Sequence, residues 1–370
     1  MIGAYPFRLL RNPRAGAIPA EVLPLAGFRA AAADIRGWPG YAPTPLHDLA
    51  AVAAAAGVGA LALKDEAGRF GQASFAALGG AYAVARVLCV ALARRGVTGA
   101  ISTADLESGR FAGATQAITV TCATDGNHGR AVAWGAQRFG CRCVIFIHEQ
   151  VSSGRAAAIA RLGAEVRRVA GTADDSAREA ERVAGDAGWQ MVSDIARPGG
   201  EAVLCDIMQG TRVMADEAAD AWSGAAPTHV FVPGEGGGCA AAVSAQMRIR
   251  YAPAPRLVVV EPEAAAGLFA SAARAAPASL AWRELAPATT AFLAIPAGAA
   301  VDTMRLLARA GVVAGESGAV GLAGFLLAAA DPAARDALGL DAASRVLVFS
   351  TEGASDPELY ARLVGEPPRG

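Results

Sequence analysis

Lysine is nearly missing from this chain of 370 residues: of 33 Lys+Arg residues only Lys64 is a lysine, and every other cation of that pair is an arginine. Arginine cannot lose its proton in a protein, whereas a lysine amine can become neutral, attack a carbonyl and form a Schiff base. A chain that uses guanidinium everywhere else and keeps one amine points to a task that needs the amine. Net charge is also missing. The balance is −1 with a pI of about 6.5, and the arginines are interspersed with acids, which excludes a basic stripe for nucleic acid or acidic lipid. The 54 % hydrophobic content is mostly Ala and Val spread through periodic segments. No apolar run reads as long enough to span a bilayer, and no charged-then-apolar leader opens the chain, so a protein outside the membrane is expected. The six cysteines form no disulfide framework and no CxxC pair, which points to a reducing cytoplasm. Cys141 and Cys143 could be drawn with His148 as a metal cluster. The run Cys-Arg-Cys-Val-Ile-Phe-Ile alternates like a strand, however, so core thiols and no metal site are expected.

What is present alternates. Strand-like runs at Gly59–Lys64, Ala117–Thr121, Cys143–His148, Glu165–Val169, Gln190–Ser193, His229–Pro233, Leu257–Glu261 and Val346–Ser350 are separated by Ala-rich amphipathic stretches such as Gly129–Phe139, Gly154–Leu162 and Thr172–Ala187. Such alternation predicts an α/β architecture with largely parallel sheets. The length allows two lobes. About 35 N-terminal residues rich in Pro, Gly and Arg read as an arm across the surface, and 365–370 as a frayed tail.

Chemistry concentrates at strand ends. Lys64 closes a buried strand and is followed by Asp65-Glu66 and Arg69-Phe70-Gly71, a setting that aims a cation into a cleft. The turn Thr124-Asp-Gly-Asn-His-Gly129 opens a helix, where free backbone N–H groups suit a carboxylate or phosphate. The turn Pro233-Gly-Glu-Gly-Gly-Gly238 is sharper, because four glycines there let backbone amides close on an anion. The same turn has a dinucleotide reading, with Gly234-x-Gly236 followed by Glu261 as a ribose-binding acid, but Cys239 stands where the third glycine belongs. A single phosphate is the simpler ligand.

Together with Ser350-Thr-Glu-Gly353 after the last strand, these parts resemble the fold-type II pyridoxal-phosphate enzymes. The stretches Tyr41–Leu46, Lys64–Gly71, Leu78–Ala83, Thr124–Arg130, Met208–Gly210, Ala215–Glu217, Gly315–Gly321 and Ser350–Gly353 stand in the order seen in the diaminopropionate ammonia-lyase family, over residues 36 to 357. Lys-Asp-Glu followed by Arg-Phe-Gly, with Thr-Asp-Gly-Asn-His-Gly in place of the Ser-x-Gly-Asn-His of serine and threonine dehydratases, carries the resemblance.

The resemblance implies two lobes, each with a mostly parallel sheet flanked by helices, a large one at 1–79 and 204–370 and a small one at 80–203. It implies that Lys64 holds pyridoxal 5′-phosphate as a Schiff base, that Gly234, Gly236, Gly237 and Gly238 cradle its phosphate, that Asn127 bonds the pyridine 3′-oxygen and that Phe70 buttresses the ring. Ser350, or Thr351 if the register slips by one, faces the ring nitrogen. Asp125 and Asp194 are implied to take the α-proton from D- and L-isomers respectively, with Thr124, Gly126 and His128 toward the substrate. The implied reaction is α,β-elimination of a β-substituted alanine, first of all 2,3-diaminopropionate to pyruvate and ammonia, in a cytoplasmic homodimer whose partner is a small amino acid and neither nucleic acid nor membrane.

Two stretches depart from the family pattern. After Asp194 the order is Ile-Ala-Arg197-Pro-Gly-Gly, and a family stretch bearing a Cys and an acid is replaced by Thr290–Gly298. A pocket for a β-ammonium keeps an acid, and Arg197 favours an anionic substituent. A dehydratase or β-replacement enzyme acting on another, anionic amino acid is therefore the second reading. A catalytically silent binding protein and a nicotinamide oxidoreductase are the third and fourth.

Overall fold

The structure is a computed structural model that describes residues 2–16, 22–197, 199–273 and 279–369. Eleven strands are found among them: β1 Arg8–Arg11, β2 Leu46–Asp48, β3 Ala60–Asp65, β4 Thr119–Ala123, β5 Arg142–His148, β6 Glu165–Val169, β7 Gln190–Met191, β8 His229–Pro233, β9 Arg256–Pro262, β10 Thr289–Ile295 and β11 Arg345–Ser350. The chain divides into two compact units, Met1–Pro24 with Ala42–Phe75 and Thr211–Gly370, and Leu25–Tyr41 with Ala76–Gly210.

The larger unit is built on a seven-stranded sheet in the order β1-β10-β9-β8-β11-β3-β2. The four central pairings are parallel, and β1 and β2 close the edges antiparallel. Its inner strands are fully buried runs such as His229-Val-Phe-Val-Pro233 and Val346-Leu-Val-Phe-Ser350, which is how strands covered on both faces read. The helix Glu316–Ala330 lies against them, and Phe325 meets Phe231 edge-on at 5.4 Å. The smaller unit holds a four-stranded, wholly parallel sheet, β6-β5-β4-β7. The fold is α/β, as the alternating runs predict.

The segment 25–41 is where the sequence misleads most. It is no surface arm: Leu25–Arg36 is a helix with Phe28, Ala31, Ala32 and Ile35 buried. It falls within the large lobe expected at 1–79 but groups instead with 76–210, where Trp38 sits edge-on to Trp134 and Phe139 at 6.1 and 5.8 Å, with the Arg138 guanidinium over all three rings. Earlier in the chain, β1 pairs with β10, a strand that the periodicity did not mark. Expected strand ends also shift, Ala117–Thr121 to Thr119–Ala123 and Gln190–Ser193 to Gln190–Met191.

One expectation about apolar runs needs correcting. The helix Ala76–Arg94 is long and apolar enough to cross a membrane by composition, with a mean hydropathy of 1.8, but 83 % of that window is buried in the fold. Its close packing on the helix Asn127–Phe139 explains the composition. A side chain at Gly80 would place its Cβ 2.6 Å from that of Ala131, and one at Gly135 would lie 2.8 Å from the Ala81 backbone. Only small residues let two helices approach so closely.

Candidate active site

In the larger unit Lys64 lies at the last turn of β3 and is fully buried. Its amine donates to the carboxylate of Glu217 at 2.6 Å and to the backbone carbonyl of Thr44 at 2.7 Å, and it lies 3.8 Å from Glu66. Arg69, also buried, donates from Nε and Nη2 to Glu66 and from Nη1 and Nη2 to Glu217. Thr44 closes the group by donating its hydroxyl to Glu66. Two buried cations therefore face two buried carboxylates. Burial pushes the Glu217 carboxyl up, but Arg69 and Lys64 outweigh it and hold the group below its ordinary value. Burial likewise pulls the Arg69 guanidinium down, while Glu66 and Glu217 raise it on balance. The sequence patterns contained Glu66, Arg69 and Glu217 without giving them a role. The signal was available: the acidic pair Asp216-Glu217 interrupts an otherwise apolar stretch of the helix Glu201–Ala221.

The next residues are strained. Phe70 and Ala73 have φ of 49° and 52°, the left-handed region that costs a non-glycine residue about 1–3 kcal/mol and that clusters at functional sites. Parallel pairing of β11 with β3 puts Phe349 beside Lys64 and Ser350 beside Asp65. The Ser350 hydroxyl is buried and has no hydrogen-bond partner, an orphan that fits a ring nitrogen of a bound cofactor. Of the two candidates Ser350 is the one with an unmet buried hydroxyl.

The glycine turn sits between β8 and the helix Gly238–Arg250. Gly236 and Gly237 have φ of +70° and +96°, which only glycine adopts without strain, and no atom lies within 4 Å of where a Gly236 side chain would start. Backbone N–H groups at the start of a helix suit an anion. The dinucleotide reading fails here. Glu261 is buried and accepts from the amides of Leu268 and Phe269 with its two oxygens, so it caps the helix Gly267–Ala273 and is not available to a ribose.

In the smaller unit Thr124 to Gly126 turn the chain from β4 into the helix Asn127–Phe139. The Thr124 hydroxyl accepts from the amides of Gly126 and Gly129 and so fixes the turn. Asp125 is exposed, and Asn127 accepts at Oδ1 from Arg130 at 3.2 Å. His128 is buried, and its Nε2 donates to the Val192 carbonyl at 2.8 Å, which turns Nδ1 toward Asp194 at 3.8 Å. Through that hydrogen bond His128 ties the residue after β7 to this turn. Arg197 pairs with Glu181 and donates to the Ser193 hydroxyl at 3.0 Å. It lines a cavity of about 650 Å³ with Arg86, Trp189, Met191, Ser193 and Asp206. Among the described residues no three or more His, Cys, Asp or Glu side chains group to hold a metal, and none of the six cysteines is in a disulfide.

Residues 38–352 match the family model described as pyridoxal-phosphate dependent enzyme. The chain belongs to that family. Within it the similarity narrows to diaminopropionate ammonia-lyases: the Escherichia coli K12 enzyme is 34 % identical over 362 residues, 88 % of either chain. The crystal structure of the Escherichia coli lyase in complex with D-serine superposes with a TM-score of 0.91 at 30 % identity over 98 % of both chains. Its complex with an aminoacrylate-PLP azomethine reaction intermediate gives 0.88 at 29 % over 98 % of both chains. The resemblance in the motifs thus extends over the whole chain, as a fold-type II enzyme and an ammonia-lyase with pyridoxal phosphate as cofactor.

Proposed function

We propose that this ammonia-lyase eliminates the β-amino group of 2,3-diaminopropionate, giving pyruvate and ammonia. The observation that supports it most is the similarity over 98 % of both chains to an Escherichia coli lyase captured with an aminoacrylate-PLP intermediate. Lys64 is the residue to hold pyridoxal phosphate, Gly234 and Gly236–Gly238 its phosphate, Asn127 its 3′-oxygen, Phe70 its ring face and Ser350 its ring nitrogen. When bound, that cofactor supplies a sink for the electron pair left at the substrate's α-carbon.

The protein's own part is placement and proton transfer. The Ser350 hydroxyl would face the ring nitrogen as a neutral hydrogen-bond donor that keeps its proton, which would leave the ring a weaker electron sink than a charged partner would. The carboxylates of Asp125 and Asp194 take that proton from the D- and the L-isomer, one on each face of the substrate. His128 Nδ1 holds Asp194 in place. Thr124 and Gly126 shape the turn that receives the substrate carboxylate.

The proposal extends to a homodimer, and to a reducing compartment, the latter supported by six cysteines outside any disulfide. Mass measurement of the native assembly tests the first part. The function itself is tested by pyruvate release from a panel of D- and L-β-substituted alanines. Diaminopropionate should give the highest kcat/KM in both series, and a preference for serine, threonine or an acidic analogue would overturn the assignment.

A further inference from the structure

The smaller unit contains a cavity of about 650 Å³, a volume within the range of about 300–1,000 Å³ usual for small-molecule sites. The four-stranded sheet ends at β7, and Trp189 and Met191 at that edge form one wall. Helices supply most of the rest. Ala76–Arg94 contributes Arg86, Val90 and Arg94, four residues apart on one face, while Ala173–Ala187 contributes Glu181 and Gly185, and Glu201–Ala221 contributes Asp206. Ser193 and Arg197 also line it, but neither Asp194 nor any residue of the turn Thr124–Gly129 does, so it is not the place proposed for the substrate.

The wall combines uncovered apolar surface with an unbalanced charge. Val90 is 45 % exposed although most of its helix is buried, and Val87, Trp189 and Met191 continue the apolar lining. Three guanidiniums meet two carboxylates there. Arg197 pairs with Glu181, and Arg86 lies 3.6 Å from Asp206, whereas Arg94 has neither an acid nor a hydrogen-bond partner among the described residues. One positive charge is left over, on an exposed side chain at the mouth.

We propose that this cavity binds a small organic carboxylate with an apolar, ring-sized body. Arg94 takes the carboxylate, whose two oxygens match its planar fork. The body lies against Val87, Val90, Trp189 and Met191, where an indole and a thioether suit an aromatic ring. A ligand with the charge alone gains only a surface ion pair, which is worth little in water. A ligand with the body alone leaves Arg94 unmatched. Both parts are needed in one molecule.

Occupancy of the site is measured without turnover. In the presence of pyridoxal phosphate, calorimetric titration of the full-length protein with 3-phenylpropionate should show saturable binding with a Kd of about 1 mM or lower. The uncharged 3-phenylpropanamide and the bodiless acetate should each bind more weakly by about tenfold or more. Two variants locate the ligand. Arg94→Gln removes the unmatched charge from an exposed position. Gly185→Leu fills the mouth, since no atom lies within 4 Å of where its side chain would start, and leucine is a better helix former than glycine. Each variant should weaken 3-phenylpropionate by about tenfold or more, with a thermal midpoint no lower than wild type for Gly185→Leu. If Gly185→Leu does not fold, Arg94→Gln decides on the same criterion. Absence of saturable binding up to about 10 mM, equal binding of the amide, or an affinity unchanged in either folded variant overturns the inference.

Discussion

The surroundings of Lys64 and those of Asp125 and Asp194 are opposites. Lys64 is wholly buried, and its amine has a carboxylate and a carbonyl that are themselves held by a buried arginine. Asp125 is exposed on a turn, and the side chain of Asp194 is 43 % exposed with a single histidine nitrogen near it. On the proposed roles, a group that must keep one position through every turnover gains from many buried partners, each removing a rotamer. A group proposed to meet an incoming substrate and exchange a proton cannot be surrounded in advance, and both aspartates stand after strands on backbone fixed by other residues, here Thr124 and His128. The two regions should therefore fail differently when mutated.

The largest effect belongs to Lys64. Lys64→Ala should abolish turnover, and Lys64→Arg should not restore it because guanidinium stays protonated. Borohydride should fix phosphopyridoxyl on the peptide that contains Lys64 in the wild type. A label on another peptide would remove the basis of the comparison. Arg69→Ala tests the burial directly. It leaves Glu66 and Glu217 without their main partner, and breaking a buried pair costs about 3–5 kcal/mol, read in a urea titration. Acid should act through the same group. The folded Glu217 carboxyl titrates below its ordinary 4.5, so its contribution is complete above that value and is lost as pH falls through the lower folded value. Glu217→Gln should flatten that part of the stability profile.

The exposed carboxylates should behave in the reverse manner, with rate affected and stability spared. Asp125→Asn should depress elimination from the D-isomer and Asp194→Asn from the L-isomer, each by about 10²–10⁴-fold, with urea midpoints close to wild type. Equal losses on both isomers would break the assignment of faces. Between these extremes lies Ser350. Ser350→Ala removes an unpartnered buried hydroxyl and should leave the cofactor-free protein as stable as before, while cofactor affinity drops by the worth of one hydrogen bond, about 0.5–1.5 kcal/mol. A larger loss in Thr351→Ala would return the ring nitrogen to the neighbouring hydroxyl.

The difference between the regions also governs what was legible in the sequence. The strand that bears Lys64, the helix that Asn127 opens and the glycine turn were readable as elements because local chemistry, an apolar run or glycine where φ is positive, marks them in the chain. The partners of Lys64 were not. Glu217 lies 153 residues away along the chain, and only the folded sheet and the helix Glu201–Ala221 bring the two to 2.6 Å. Glu261 failed for the same reason, since its cap on Gly267–Ala273 is a tertiary fact that a spacing rule cannot see. The segment 25–41 was misjudged because its Pro and Gly content obscured a short amphipathic helix whose placement depends on Trp38 finding Trp134 and Phe139.

The smallest effect is expected at Arg197, and it sharpens the comparison on the exposed side. From the sequence, an arginine three residues after Asp194 favours an anionic β-substituent, and loss of such an ion pair would cost that substrate about 1.5–3 kcal/mol. In the structure the guanidinium is already engaged by Glu181 and the Ser193 hydroxyl, in the wall of the cavity that Trp189 and Met191 share. A partly exposed pair of that kind contributes about 0–1 kcal/mol. Arg197→Ala should therefore lower stability by no more than that, and should leave the ratio of kcat/KM between an anionic β-substituted alanine and diaminopropionate unchanged. A fall in that ratio of tenfold or more, with the urea midpoint unmoved, would mean that Arg197 leaves Glu181 for the substrate, and the anionic compound would then replace diaminopropionate as the better candidate.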